Sequence, residues 1–283
     1  MKTQLTLLFL SIFCISNSQV ITGKILSSES KQAIAYARIG VDGENIGAIA
    51  NETGIYKIDL TNVDKSKKVT VQLGGYYPFE QSVQNFINSG NHNITLKEKV
   101  TDIAEVKLSP KIYENKNWGI NTKAKKVGFW YSSNGGSEAN MLEEVAIFFS
   151  NRKKVKLEKI NVNINQFTTD KPVVLNFNIY SNENNRPGQS ILSENLSVKL
   201  TEDQIKDGTF TYDVSDKSIW IDKESFYVSV QIMSGFKGKI GLSAALLSTV
   251  YLRSYYDKWQ KIPVGAPAIN VDVKIAKDKK IKA

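Results

Sequence analysis

The chain has 283 residues, of which 41% are hydrophobic, 10% aromatic and 23% charged; that balance excludes a disordered polymer, and 18 glycines are far too few for a collagen-like fibre. Lys and Arg exceed Asp and Glu by 37 to 28, a formal charge of +9, an excess that points to an acidic partner such as nucleic acid, lipid A phosphates or an acidic glycan. One cysteine and one histidine exclude more: a Cys/His zinc site needs several such ligands, a disulfide needs two cysteines, and a Cys–His nucleophile could draw only on Cys14 and His92.

Met1-Lys2 gives a positive start, Leu5 to Ile15 is almost wholly apolar, and Ser16-Asn17-Ser18 supplies small residues before Gln19. This is the pattern of a secretory signal peptide over residues 1–18. Cys14 is preceded by Phe13, too bulky for a lipoprotein cleavage site, so the cysteine reads as part of the apolar run. The expectation is an exported chain that starts at Gln19 without cysteine, in the periplasm, at the outer membrane or secreted. No later window is long and apolar enough for a membrane-spanning helix.

From Val20 the apolar residues recur with period two between turn-forming residues, which predicts β-structure throughout. Strands are expected at 20–26, 34–41, 46–50, 55–60, 69–73 and 93–96. Asp42-Gly43-Glu44-Asn45 and Asn51-Glu52-Thr53-Gly54 supply tight turns. Residues 109–126, rich in Lys and holding Pro110, read as a linker. Beyond it, Ile160–Asn165, Leu175–Ile179 and Phe226–Ile232 alternate apolar and polar residues, as antiparallel strands with one wet face do. Met141 to Ser150 admits a helix or a strand, and its Val145–Phe149 core favours strand. The fold expected is all-β: two antiparallel sandwiches, at 19–108 and 127–275, the second jelly-roll-like in outline, then a basic tail at 276–283.

The first unit carries a resemblance. Ile21-Thr22-Gly23-Lys24-Ile25 matches an opening V-x-G-x-V strand, and Ile34-Ala35-Tyr36-Ala37-Arg38-Ile39 a P-h-x-x-A-x-V second strand. Gly47 to Ile58 looks like G-T-x-T-D-x-x-G-x-Y-x-I. Gly75-Tyr76 and the run from Asn93 to Val106 sit where a G-Y dipeptide and the exit motif fall. Residues 20–108 thus resemble the carboxypeptidase-like regulatory domain, a transthyretin-like, carbohydrate-binding-like β-sandwich at the front of outer-membrane and secreted proteins of Bacteroidetes-type bacteria. Asn51 stands where the family often has Asp, which weakens any idea of an acidic calcium loop. In large receptors this domain precedes a 22-stranded barrel. The residues that follow here are too few, at about ten residues per strand, for such a barrel.

Function is read mainly by elimination. His92, between two asparagines, stands near no recognisable nucleophile elbow and reads as a loop residue. No carboxylate pair is set in an aromatic cleft pattern, which leaves a glycan-directed hydrolase as the least favoured reading. No cofactor and no metal are implied. The candidate ligand site is the group Tyr251, Arg253, Tyr255 and Trp259, where flat rings with an Arg fringe suit sugar stacking. The pattern favours the plainer alternative, a half-buried strand whose Trp259 closes the core. Trp118, Trp130 and Trp220 read as core or inter-domain packing.

Lys2 carries one positive charge and the last ten residues, with five Lys and one Asp, carry four, leaving residues 19–273 near +4. The charge is therefore mostly tail, a source of weak attraction to an anionic membrane surface, with no aromatic interleaving for nucleic acid. The expectation is a non-enzymatic envelope protein that binds or adheres to a protein or glycan partner. The alternative is an accessory subunit of an outer-membrane assembly.

Overall fold

A computed structural model describes residues 19–99, 112–135, 143–233 and 235–277. The signal segment with Cys14, the family's exit motif from Val100, the front of the linker and the tail beyond Lys277 lie outside the described residues.

The first unit contains β1 (Val20–Ser27), β2 (Arg38–Val41), β3 (Gly47–Ile49), β4 (Ile55–Asp59), β5 (Lys68–Gln72), β6 (Phe79–Ser82), helix α1 (Val83–Asn88) and β7 (Ile94–Leu96). These form two sheets, β4-β1-β7 and β3-β2-β5-β6. The apolar positions of the alternating runs, among them Ile25, Ile39, Tyr56, Ile58, Val69 and Val71, face each other across one core. All pairs are antiparallel except β1 with β7, which run parallel. In the Asn51–Gly54 turn, Asn51 Oδ1 accepts from the Thr53 and Ile55 amides, each at 2.9 Å, while Gly54 takes φ +75°. Gly23 has a different task. A Cβ there would stand 2.1 Å from the His92 carbonyl and 2.5 Å from the Tyr56 hydroxyl, which bond each other across the strand. β6 and α1 escape the sequence pattern because Phe79-Glu80-Gln81-Ser82 does not alternate and a six-residue helix is too short to show a period.

The second unit begins earlier than expected. Ile112–Gly119 of the predicted linker is a strand, β8, that pairs along its whole length with the last strand of the described residues. The remaining strands are β9 (Gly128–Asn134), β10 (Glu144–Phe149), β11 (Val155–Thr169), β12 (Val173–Glu183), β13 (Arg186–Ser190), β14 (Leu196–Leu200) and β15 (Thr209–Asp213). They continue through β16 (Trp220–Ile221), β17 (Phe226–Ile232), β18 (Lys237–Leu246), β19 (Val250–Arg253), β20 (Gln260–Ile262), β21 (Gly265–Pro267) and β22 (Ile269–Lys277). A seven-stranded sheet runs β13-β12-β17-β10-β19-β20 with β14 on β12. An eight-stranded sheet runs β21-β18-β11-β22-β8, with β15 and β16 on β11 and β9 on β18. The core lies between them, filled by residues such as Phe149, Leu157, Phe177, Val228, Leu242 and Val271.

The wet faces expected from the alternation are not wet. On β11, Asn161 and Asn163 are buried under their own hydrogen bonds. Asn163 donates to the Thr122 carbonyl at 2.8 Å and to Asn121 Oδ1 at 3.2 Å, and accepts from the Thr209 hydroxyl at 2.8 Å. Asn161 donates to Asn270 and Asp272 and accepts from Thr211 at 2.7 Å. Every residue of β17 is buried, Tyr227, Ser229 and Gln231 included. The polar half of the period marks a second packed environment, not solvent.

Asn163→Ala strands the Thr209 hydroxyl and the Thr122 carbonyl in that layer. The expected loss is about 1–3 kcal/mol of stability, measured by chemical denaturation.

Candidate functional site

The strongest concentration of polar chemistry lies where the two units meet. Register places Glu144 opposite Arg253, Ala146 opposite both Ser229 and Tyr251, and Tyr180 opposite Tyr227. These side chains therefore share the outer face of the seven-stranded sheet. From the first unit comes Arg38, which alternates with the core residue Ile39 and so points out of its own sandwich.

Glu144 is the centre. Its carboxylate is 2% exposed and accepts four donors: Arg38 Nη2 at 2.7 Å, Arg253 Nε at 2.9 Å, Tyr180 OH at 2.7 Å and Ser229 Oγ at 2.6 Å. Burial by itself would raise its pKa, yet the guanidiniums of Arg253 and Arg38, with the two hydroxyls, hold it down to about 2. Burial raises the Tyr180 hydroxyl to about 12, keeping it protonated and able to donate. Arg38 also reaches Gln231 Oε1 at 3.3 Å and the Tyr255 carbonyl at 3.5 Å.

One carboxylate and two guanidiniums leave one positive charge over. Aromatic faces meet it: the Arg253 guanidinium lies 4.4 Å from the Trp259 ring centroid and 5.2 Å from that of Tyr180, while Arg38 lies 5.7 Å from Tyr256. Tyr255 and Tyr256 reach back to the first unit. A Cβ on Gly40 would come 2.7 Å from the Tyr256 ring, and one on Gly47 2.6 Å from the Tyr255 ring. These glycines face each other across β2 and β3, so the two tyrosines rest on a floor without side chains. The backbone completes the seat: the Gly43 amide donates to the Tyr256 carbonyl, and the Tyr256 hydroxyl to the Arg38 carbonyl, both at 3.0 Å.

The four residues expected to form a sugar platform are thus brought into one neighbourhood, but they face inward. Tyr251 is buried, with its hydroxyl on the Asn185 carbonyl. Trp259 is 8% exposed, with the Arg253 guanidinium over its ring and Tyr180 against it at 73°. Arg253 and Tyr255 are half-buried in the seam. No open aromatic platform exists there. Strand β19 also ends at Arg253, and Tyr255 takes φ +47°, so the half-buried strand expected over this group stops in a turn. Sequence reasoning missed Arg38 and Glu144, which lie 106 residues apart. Their one signal was a lone Arg inside the apolar run from Ile34 to Val41 and an acid at the head of Val145–Phe149.

Two clefts flank the seam. One, of about 560 Å³, is lined by Tyr36, Glu52, Lys171, Lys199, Met233 and Phe236; the other, of about 540 Å³, includes Gln32, Tyr76, Glu98 and Asn195. His92 packs half-buried against Phe86, with Nδ1 3.2 Å from the Ser89 hydroxyl. Trp118 packs against the core as expected, whereas Trp130 and Trp220 are among the exposed residues. Among the described residues no group of three His, Cys, Asp or Glu converges to hold a metal, and no helix is long and apolar enough to cross a membrane.

Comparison with known proteins agrees with the reading of the first unit. Residues 21–108 match the CarboxypepD_reg-like domain family. No curated protein matches the chain. Among solved structures, the clostridial cysteine protease Cwp84 after propeptide cleavage is similar at 11% identity and a TM-score of 0.41, over 81% of this chain and 51% of that one. The cysteine protease and lectin-like domains of Cwp84, a surface layer associated protein of Clostridium difficile, give 10% and 0.37 over 92% and 60%. An infectious bursal disease virus structure gives 8% and 0.27 over 91% and 63%. The chain spans between half and two thirds of the length of these structures.

Arg38→Ala removes one charge-assisted hydrogen bond from Glu144 while Arg253 stays paired with it, and costs about 1.5–3 kcal/mol, read by chemical denaturation. The acid limb carries a second expectation. A carboxyl lowered from 4.5 to about 2 contributes fully above pH 4.5 and loses that contribution as pH falls toward 2. Melting temperature followed from pH 6 to pH 2 should fall less steeply in Glu144→Gln than in the parent chain.

Proposed function

We propose, taking the CarboxypepD_reg-like domain of residues 21–108 as the premise, that the chain is an exported, non-enzymatic binding or adhesion module of the cell envelope. Its ligand is a protein or a glycan. Export rests on the leader pattern of residues 1–18.

The observation that carries the reading is the seam itself. The carboxylate with the strongest perturbation, the kind of group that elsewhere serves acid–base chemistry, is sealed from solvent and saturated with donors. It joins two sandwiches into one body and has no lone pair directed at a substrate. What remains for function is surface: two fixed sandwiches with clefts along their junction, a frame suited to holding a ligand rather than transforming it.

The second reading, an accessory subunit of an outer-membrane assembly, is favoured by one feature. Leu246, Leu247 and Val264 meet at the tip between β18 and β21, with Leu247 93% exposed and held at φ +57°.

The test is binding of the chain from Gln19 to a glycan array and to an array of purified outer-membrane and surface proteins. Saturable binding to one of them, with no release of new reducing ends from the glycans, is the expected result. Turnover of any glycan overturns the non-enzymatic reading, and silence on both arrays overturns the binding module. Binding confined to outer-membrane proteins and abolished by Leu247→Asp favours the accessory subunit.

A further inference from the structure

Trp130 differs from every other tryptophan in how its ring is held. It stands in the middle of edge strand β9, opposite Gly241 of β18, on the outer face of the eight-stranded sheet. The inner face is assigned by Ile240 and Leu242, which flank Gly241 and lie in the core. A Cβ on Gly241 would come 2.8 Å from Trp130 Cδ1 and 2.9 Å from Nε1, and one on Gly128 3.3 Å from Cζ2. The pyrrole edge therefore lies over one glycine and the benzene edge beside the other. An indole supported in this way rests across the sheet, one face down and the other open, and Trp130 is 50% exposed.

Its base is fixed. Asn165, at the bulge of β11, bonds the Ala124 carbonyl at 3.2 Å, and its Oδ1 occupies the space above Gly241 beside the indole. Trp220 offers a contrast: Tyr113 packs beside it and the Lys154 ammonium stands over its ring. Among the described residues no aromatic or cationic group stacks on Trp130.

The surroundings are polar and basic. Ser132 lies opposite Lys239, Asn134 opposite Lys237, and Gln166 and Thr168 face Gly241 and Lys239 from β11. All share the Trp130 face by register; Ser132 and Lys239 lie within short diagonal reach of Trp130, and Asn134 and Lys237 stand two residues further along their strands. Ser132, Asn134, Thr168 and both lysines are exposed.

A flat apolar face, a fringe of hydroxyl and amide groups on one side and two ammonium groups beyond it define a complementary ligand. A pyranose has an apolar C–H face and a rim of hydroxyls, and a uronic acid adds a carboxylate at that rim. We propose that Trp130 is the stacking platform of a glycan-binding site, and that its ligand is an acidic glycan whose carboxylates reach Lys239 and Lys237. The proposal rests on the binding-module reading and names its ligand class and its surface. The inward-facing Tyr251–Trp259 group has no part in it.

The test titrates the chain from Gln19 with a galacturonate hexasaccharide and a glucose hexasaccharide, by calorimetry and tryptophan fluorescence. The parent should bind the galacturonate oligomer more tightly. Trp130→Ala, at a half-exposed site, should keep the parent melting temperature and weaken binding by about tenfold or more. Lys239→Glu should weaken the galacturonate oligomer while sparing the glucose one. Unchanged affinity in Trp130→Ala, or equal binding of the two oligomers that ignores Lys239→Glu, overturns the proposal. Should glycans bind on the array while Trp130→Ala has no effect, this site fails and the binding module stands. A chain silent toward all glycans and proteins fails at the broader reading.

Discussion

The two units are held together by one carboxylate that satisfies two arginines from opposite sides of a seam. Glu144 receives Arg253 from its own sheet and Arg38 from the other unit. An isolated ion taken out of water carries a penalty of several kcal/mol, so each arginine depends on Glu144 and Glu144 on at least one of them. That mutual dependence makes the docking specific. An apolar seam of the same area would tolerate sliding, because burial of apolar surface has no direction. A guanidinium 2.7 Å from a carboxylate does not, and Tyr180 and Ser229 fix which carboxylate oxygen faces which partner. The surplus positive charge explains the aromatic crowd: Trp259, Tyr180 and Tyr256 present the π faces that a cation accepts where no second anion is at hand.

That one constraint explains why the polar half of β17 has no solvent side. In an isolated antiparallel sandwich the polar half of each strand meets water. Here Ser229 and Gln231 of β17 face the seam, while Asn161 and Asn163 of β11 face a ladder of further side chains and carbonyls. The strands and the all-β class were legible because alternation reports a change of environment at each residue. What lies on the polar side is not encoded locally. Ser or Asn suits a wet face and a hydrogen-bonded seam equally well. β8 was hidden for a related reason: Asn115, Lys116 and Asn117 read as linker because they line an exposed edge, and only the pairing with β22 reveals the strand.

The candidate site was legible as a place and illegible as a direction. Tyr251, Arg253, Tyr255 and Trp259 do gather, since they lie within nine residues around one turn. Their orientation depends on Glu144 and Arg38, and no local pattern ties either residue to them. Register, set by the pairing of β10 with β19 and β17, turns the group inward. Asn51 and Gly54 show the opposite case, in which all the partners lie within four residues and the sequence suffices.

The same contrast separates the two kinds of tryptophan. Trp259 is large enough to stack with a ligand, but a guanidinium of its own chain already lies over its ring. Trp130 has glycines beneath it, and glycine is the one residue that lets a ring lie down on a sheet instead of standing off it. An indole half open to water is unusual at an edge strand, where charge and short polar groups guard against unwanted pairing. A Trp kept there on a glycine floor, with lysines and hydroxyls around it, makes sense as a contact surface. The inner aromatics join the frame to itself, and the outer one stands half open beside lysines and hydroxyls.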